Sequence, residues 1–443
     1  MTTLRIVEAG AVLAIGLCAM TAASACGSRT SLFDGLLGQE IQPRADAAGP
    51  SQDSGLRRRD GSVVVTPIES GVSLPPTDGG IIVGAPDAGP PPHDATFPND
   101  VANGATLVCG LGDLVCNGAC VDPTTDPSHC GGCNLSCTGE CTGGRCLVVL
   151  ASNQAGPTHV LVDSTDVYWL DEDDPTAVVK VPIGGGVPTT LGTSTDVPGQ
   201  LSLEGLALDA AGVYWCGYVD GTILESPLAG GAPITLSAGP SFQSYPNAIA
   251  VNGGGIYWVD YNNGMGGTLM TMPRAGGAVT TLASLPGVLG ELEVDDTNVY
   301  LELLPPQPQA ESQMLSVPLG GGTVTTLAAT PEFPQLMALD ATHVYWAAGG
   351  NGGVLSVPVT GGAVTTLAPD QYGTEAVAVD ATYVYWTNFS AGTVAKSPLA
   401  GGAAVTLATG QTEAYGLAVD GTSVYWATNP DMSHGMIMKL TPK

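Results

Sequence analysis

Residues 340–367 read DATHVYWAAGGNGGVLSVPVTGGAVTTL. An Asp opens a tight turn, a Val-Tyr-Trp strand follows, a second strand ends in Pro, and a paired Gly leads into a short Thr/Leu strand. The same unit recurs from residue 147 to the last residue of the sequence, with its tyrosines at 168, 214, 257, 300, 345, 385 and 425, in steps of 46, 43, 43, 45, 40 and 40. Each unit holds four short apolar or alternating strands bounded by turn residues. A four-strand period of that length marks a β-propeller blade, and seven copies predict seven blades. The last copy stops at Lys443 after its third strand, whereas Leu147–Ala151 stands before the first copy as Thr280–Ser284 stands before the fourth. An N-terminal strand is therefore expected to complete the last blade, closing the ring and removing a free edge.

Composition agrees with this all-β reading. The 443 residues include 62 Gly and 34 Pro, much of it turn punctuation, with 12% charged and 44% hydrophobic residues. That hydrophobic share argues against a wholly disordered chain, and the low charge argues against a coiled coil. Forty-one acids against 12 bases give a formal charge of −29, which excludes the basic footprint of a nucleic-acid binder. In 147–443 the count is 26 acids to five bases, so a cationic partner or a divalent ion is expected there and an anionic one is not.

The N-terminal third reads as an address and a spacer. In residues 1–26 Arg5 precedes an apolar run from Ala9 to Ala25 that ends in small residues, the layout of an export signal. Ala23-Ser-Ala-Cys26 resembles a bacterial lipobox, which implies lipidation of Cys26 and a lipid-anchored place at the outer membrane or cell surface. Plain secretion with Cys26 left free is the alternative. Residues 27–106 are rich in Pro, Gly, Asp and Ser without helical or strand period, as expected of a disordered linker.

Eight cysteines fall in the segment 107–146: Cys109, Cys116, Cys120, Cys130, Cys133, Cys137, Cys141 and Cys146. An even number in an exported chain, with almost no apolar residues between them, predicts a small disulfide-stapled module. Zinc held by thiolates around Cys130-Gly-Gly-Cys133 is the competing reading, and the pairing stays open. The string CNGACVDPTTDPSHCGGCNLSCTGECTGGRC (116–146) resembles the Cys-rich repeat of the stigma-specific protein family, which implies an extracytoplasmic disulfide-bonded module.

The repeats themselves resemble the YWTD propellers, through Tyr385-Trp-Thr-Asn388, Tyr168-Trp-Leu-Asp171 and Tyr257-Trp-Val-Asp260. In that family, usually six-bladed, the motif is structural, with aromatics packed between blades. Comparing the copies with one another separates two faces. The Asp turns and the Pro-x-Gly-Gly turns are nearly uniform, so Asp163, Asp209, Asp340, Asp380 and Asp420 are expected to cap turns. The opposite face carries the variable loops Leu170–Ala177, Asn262–Gly267 and Leu303–Ser312 and the link Ser237–Ser244, where binding is expected.

Five residues before each repeated Asp, or Asn252, the innermost strand starts at the channel mouth. Those positions hold Thr158, Glu204, Asn247, Gly290, Gln335, Glu375 and Tyr415, followed one step later by His159 and Glu291. The oxygen-rich set Glu204, Glu291 and Glu375 suits calcium and is similar in position to the axial metal site of propeller lactonases and streptogramin-type lyases. A hydrated polar channel mouth is the simpler reading, and the run Asp171–Asp174 reads as a solvated loop. No Gly-x-Ser-x-Gly elbow or phosphate loop is present, His343 reads as a surface turn residue, and Cys216 as a small buried hydrophobe. The sequence thus points to a monomeric, anchored propeller that binds protein, peptide or glycan, without cofactor or catalytic residues. The alternative is a calcium-dependent hydrolase or lyase at the channel mouth.

Overall fold

The computed structural model describes residues 109–443, apart from short segments at 174–175, 195–202, 219–220, 239–244, 262–265, 305–310, 331–333, 351 and 431–433. The leader 1–26 with Cys26 and the linker 27–106 lie outside the described residues, as do parts of all four variable loops.

Seven antiparallel sheets make a seven-bladed propeller. Blades 1 to 6 each run through four consecutive strands, from an inner strand to an outer one. Their inner strands are Pro157–Val162, Leu203–Leu208, Pro246–Val251, Val288–Val294, Pro334–Leu339 and Thr374–Val379. Blade 7 starts at Ala414–Val419 and reaches its third strand at Gly435–Thr441. The closing strand Arg145–Gln154 then pairs antiparallel with that third strand, as expected.

The Tyr-Trp dipeptide explains how blades stack. Successive strand residues face opposite sides, so Tyr and Trp serve different neighbours. Tyr168 of blade 1 packs in one cluster with Trp215 of blade 2, Tyr214 with Trp258, and Tyr345 with Trp386. Trp169 meets Tyr425 of blade 7, so the same contact closes the ring. Blade 4 alone departs, with Leu301 against Tyr257 where the other blades place Trp. Tyr168, Tyr214, Tyr300, Tyr385 and Tyr425 are all essentially inaccessible, as are Trp169, Trp215, Trp346, Trp386 and Trp426.

The repeated Asp residues are turn caps. Asp340 Oδ1 accepts from the backbone N–H of Thr342 (2.6 Å) and His343 (2.8 Å), and Oδ2 accepts from the Tyr345 hydroxyl at 2.7 Å. The same Tyr-to-Asp bond joins Tyr168 to Asp163, Tyr300 to Asp295, Tyr385 to Asp380 and Tyr425 to Asp420, at 2.7 to 2.9 Å. Burial pushes these carboxyls up, but the converging N–H and O–H donors outweigh it and hold Asp163, Asp295, Asp340 and Asp420 below the ordinary range, and Asp380 down to about 2. In the other uniform turn, Gly361 and Gly362 both take positive φ (79° and 145°), which is why the pair is glycine.

All eight module cysteines are joined, as Cys109–Cys120, Cys116–Cys133, Cys130–Cys141 and Cys137–Cys146. This overturns the zinc alternative, since no thiolate is left to bind metal there. Cys130, Cys137 and Cys141 form the module's small core, with Cys146 against it. The short strand Glu140–Thr142 pairs with the start of the closing strand, so blade 7 has five strands. That strand runs across residues 146 and 147, and module and ring share one sheet. Cys216 is fully buried with no disulfide partner, and burial pushes its thiol well up, as a small core hydrophobe should behave.

Candidate site at the channel mouth

Six inner strands break register at the level picked out by counting back from each Asp: between Thr158 and Leu161, Pro246 and Ala248, Leu289 and Leu292, Pro334 and Met337, Thr374 and Ala376, and Ala414 and Leu417. In blade 2 the shift falls at Gly205, between Glu204 and Leu206. A bulge at each site turns one residue out of the ladder, so these residues are the ones freed to face the channel mouth. His159 adopts φ +47°, as Gly205 does at the matching place in blade 2 with φ +55°. A side chain held in the left-handed region is strained, a cost that clusters at functional sites.

The mouth is organised around that histidine. Its Nε2 lies 3.9 Å from Glu291 Oε1, which projects from blade 4 on the far side of the ring. Its Nδ1 lies 3.0 Å from Thr158 Oγ1 and 3.9 Å from Glu172 Oε1, and Thr158 donates to Glu172 at 3.0 Å. Glu172 is brought in by its loop, whose backbone N–H groups at 172 and 173 donate to Gly156 and Ala155. Burial works against a charge on His159, but Glu291, Glu172 and Glu204 outweigh it and raise its pKa.

Below the mouth a channel of about 410 Å³ runs between the inner strands, walled mainly by Val, Leu, Ile and Ala. The polar mouth therefore opens onto apolar walls, into which, among the described residues, only His159, Glu291 and Glu293 bring titratable groups. Burial and then the charge of Glu291 push Glu293 up to about 8. Glu302, beneath the Gly290–Glu291 bulge, is 3% exposed, its Oε1 has no hydrogen-bond partner, and burial raises its pKa well above the ordinary range.

Of the residues expected from sequence, Thr158, His159 and Glu291 come together, with Glu204 near enough to bias His159. Asn247, Gln335 and Glu375 hold the same level in blades 3, 5 and 6, and Tyr415 in blade 7 lies edge-on to Phe389 at 5.2 Å. The calcium set does not assemble: among the described residues no three His, Cys, Asp or Glu side chains group as metal ligands. Glu204, Glu291 and Glu375 stand on blades 2, 4 and 6, and Glu291 faces His159 instead. The acidic run also departs from the solvated reading. Asp171 is buried, accepts from Trp169 Nε1 at 3.0 Å, and is pushed up to about 6 by burial, while Glu172 reaches the histidine. Sequence reasoning passed over Glu293 and Glu302. Glu302 was visible in principle, because its place holds Leu170, Cys216, Val259, Ala347, Thr387 or Ala427 in the other copies.

No protein-family model matches the chain, and a search of curated proteins finds no match. Solved structures do match in fold. A streptogramin B lyase superposes with TM-score 0.54 at 13% identity, covering 68% of this chain and 98% of its own. YCF48 from Cyanidioschyzon merolae gives TM-score 0.50 at 15% identity, covering 67% and 98%. A chain of the nidogen/laminin complex gives 0.41 at 20% identity, covering 51% and 86%. At such identities the likeness bears on fold alone.

Proposed function

We propose that the chain is a lipid-anchored, extracytoplasmic binding module that uses the propeller to hold a protein, peptide or glycan without chemical conversion. The observation that carries this reading is the mouth itself. Glu291 of blade 4 and Glu172 of blade 1 converge on one strained His159, with Glu204 adding negative charge. Such a mouth suits a cationic group, a Lys or Arg side chain or an amino sugar, entering between the carboxylates. The loops that vary between copies supply the shape of the partner.

A lysine-rich peptide tests the mouth by calorimetry at low salt. It should bind the full chain and lose at least tenfold in affinity in a Glu172→Gln, Glu291→Gln variant. Equal affinity in both proteins would sink the reading. The address is tested separately: Cys26→Ser should release the protein from membranes, and retention of that variant would refute the anchor.

A further inference from the structure

A second cavity, of about 750 Å³, opens between the cystine module and the turn face of blades 6 and 7, away from the channel mouth. Residues 109–443 contain six Lys and Arg residues, and three of them, Lys396, Lys439 and Lys443, line this cavity. Cys130 and Cys146 line it from the module side.

The lysines have a structural address. In each blade one residue of the third strand pairs with the repeated Tyr across the ladder: Lys180, Glu225, Thr271, Ser316, Ser356, Lys396 and Lys439. Lysine thus occupies the place in blades 6, 7 and 1, which are contiguous around the ring, and in no other. Lys180 is fully partnered, with Asp166 Oδ2 at 3.2 Å and the carbonyl of Leu228 in the next blade at 2.6 Å. Lys439 likewise donates to the carbonyl of Ile183 in the next blade, at 2.9 Å.

Lys396 lacks both kinds of partner. Where blade 1 has Asp166, blade 6 has Tyr383, and the ammonium lies 4.1 Å from that ring's centroid. The counterpart of Leu228 in the next blade is Pro442, which lines the same cavity, and among the described residues no side-chain hydrogen bond is made to Lys396 Nζ. The nearby Asp380 is committed, since it pairs with Lys443 at 2.6 Å and accepts from Tyr385 and the N–H groups of Thr382 and Tyr383. Burial, then the positive charges of Arg145 and Lys443, lower the pKa of Lys396 against the pull of Asp380, as expected of a cation short of counter-charge.

We propose that this cavity binds a small organic oxyanion, a carboxylate or a phosphate or sulfate ester, through Lys396 assisted by Lys439. The volume falls in the range of small-molecule sites and exceeds what an inorganic ion fills, so the oxyanion is carried on a sugar-sized body. The site goes beyond the cationic specificity of the channel mouth and is independent of it.

Calorimetry on the full chain with glucuronate, glucose 6-phosphate and glucose tests the proposal, the two acids separating a carboxylate site from a phosphate site. At least one acid should bind and glucose should not. Lys396→Ala should weaken that binding at least tenfold, Lys396→Arg should retain it, and Lys180→Ala should leave it unchanged. Binding of neither acid, or equal binding by the Lys396→Ala and wild-type proteins, overturns the proposal. Should Lys396→Ala misfold, Lys439→Ala with an intact melting transition takes its place, and unchanged affinity there overturns the proposal too.

Discussion

Glu293 should make the propeller less stable as the pH rises through neutrality. Its carboxyl is half-buried in the channel wall beside Glu291, and its pKa stands at about 8 against an ordinary 4.5. The folded state therefore holds a proton that the unfolded chain gives up above pH 4.5. The stabilisation is fully present below that value and is lost as pH rises through about 8. At about 1.4 kcal/mol per pH unit, the interval sets a ceiling near 5 kcal/mol. Channel water reaches the group, so about half of that is expected. His159, with its pKa raised, and Asp171, at about 6, act in the same direction. The assay is urea unfolding from pH 5 to pH 9 for the wild type and Glu293→Gln, disulfides intact. The glutamine cannot titrate and mimics the protonated acid, so the two curves should lie together near pH 5 and part towards pH 9, the wild type falling about 2–3 kcal/mol below the variant. Parallel profiles would refute the reasoning.

Below pH 4 the balance should reverse. Asp163, Asp295, Asp340, Asp380 and Asp420 have lowered pKa values, so the stability they contribute is present above the ordinary carboxyl range and lost on acidification, which melting curves from pH 5 to pH 2 would show. Asp340→Ala removes two backbone caps and the Tyr345 bond, and should cost about 1–3 kcal/mol in chemical unfolding, with Tyr345→Phe costing about 1. Trp386→Ala empties the contact between blades 5 and 6 and should cost about 3–5 kcal/mol, whereas a loss below 1 would deny the blade-stapling role. Replacing Cys137 and Cys146 by Ser should lower the melting temperature of the whole ring, because Cys146 lies in the closing strand; a ring that melts unchanged would show that the clasp holds without the cystine.

The blades were legible because one physical demand repeats. Every interface needs a large residue on each side of a strand, so Tyr and Trp stand next to each other, and every inner turn needs an acceptor, so Asp recurs five residues before the Tyr. The closing strand was legible because the last copy falls one strand short. Disulfide pairing was not, since cysteine spacing does not say how a coil-rich module folds back. The mouth was half legible. Counting from the Asp places a residue at the right height on its blade, yet says nothing of its angle around the ring. Glu204 and Glu375 could thus be set at one level with Glu291, while the pairing of Glu291 with His159 from the opposite blade stayed hidden. Net charge hides local grouping too, because a total of −29 averages away the three bases, Arg145, Lys439 and Lys443, that gather around Lys396.

The closing strand also sets how the molecule bears load. Any pull transmitted from the chain ahead of Cys109 enters the cystine-linked module and passes through Cys137–Cys146 into Arg145–Gln154. That strand lies antiparallel along Gly435–Thr441, so its hydrogen bonds meet the pull together, in shear, and not one at a time as an unzipping hairpin would. Opening the ring at that joint therefore requires the paired residues of the closing strand to let go together.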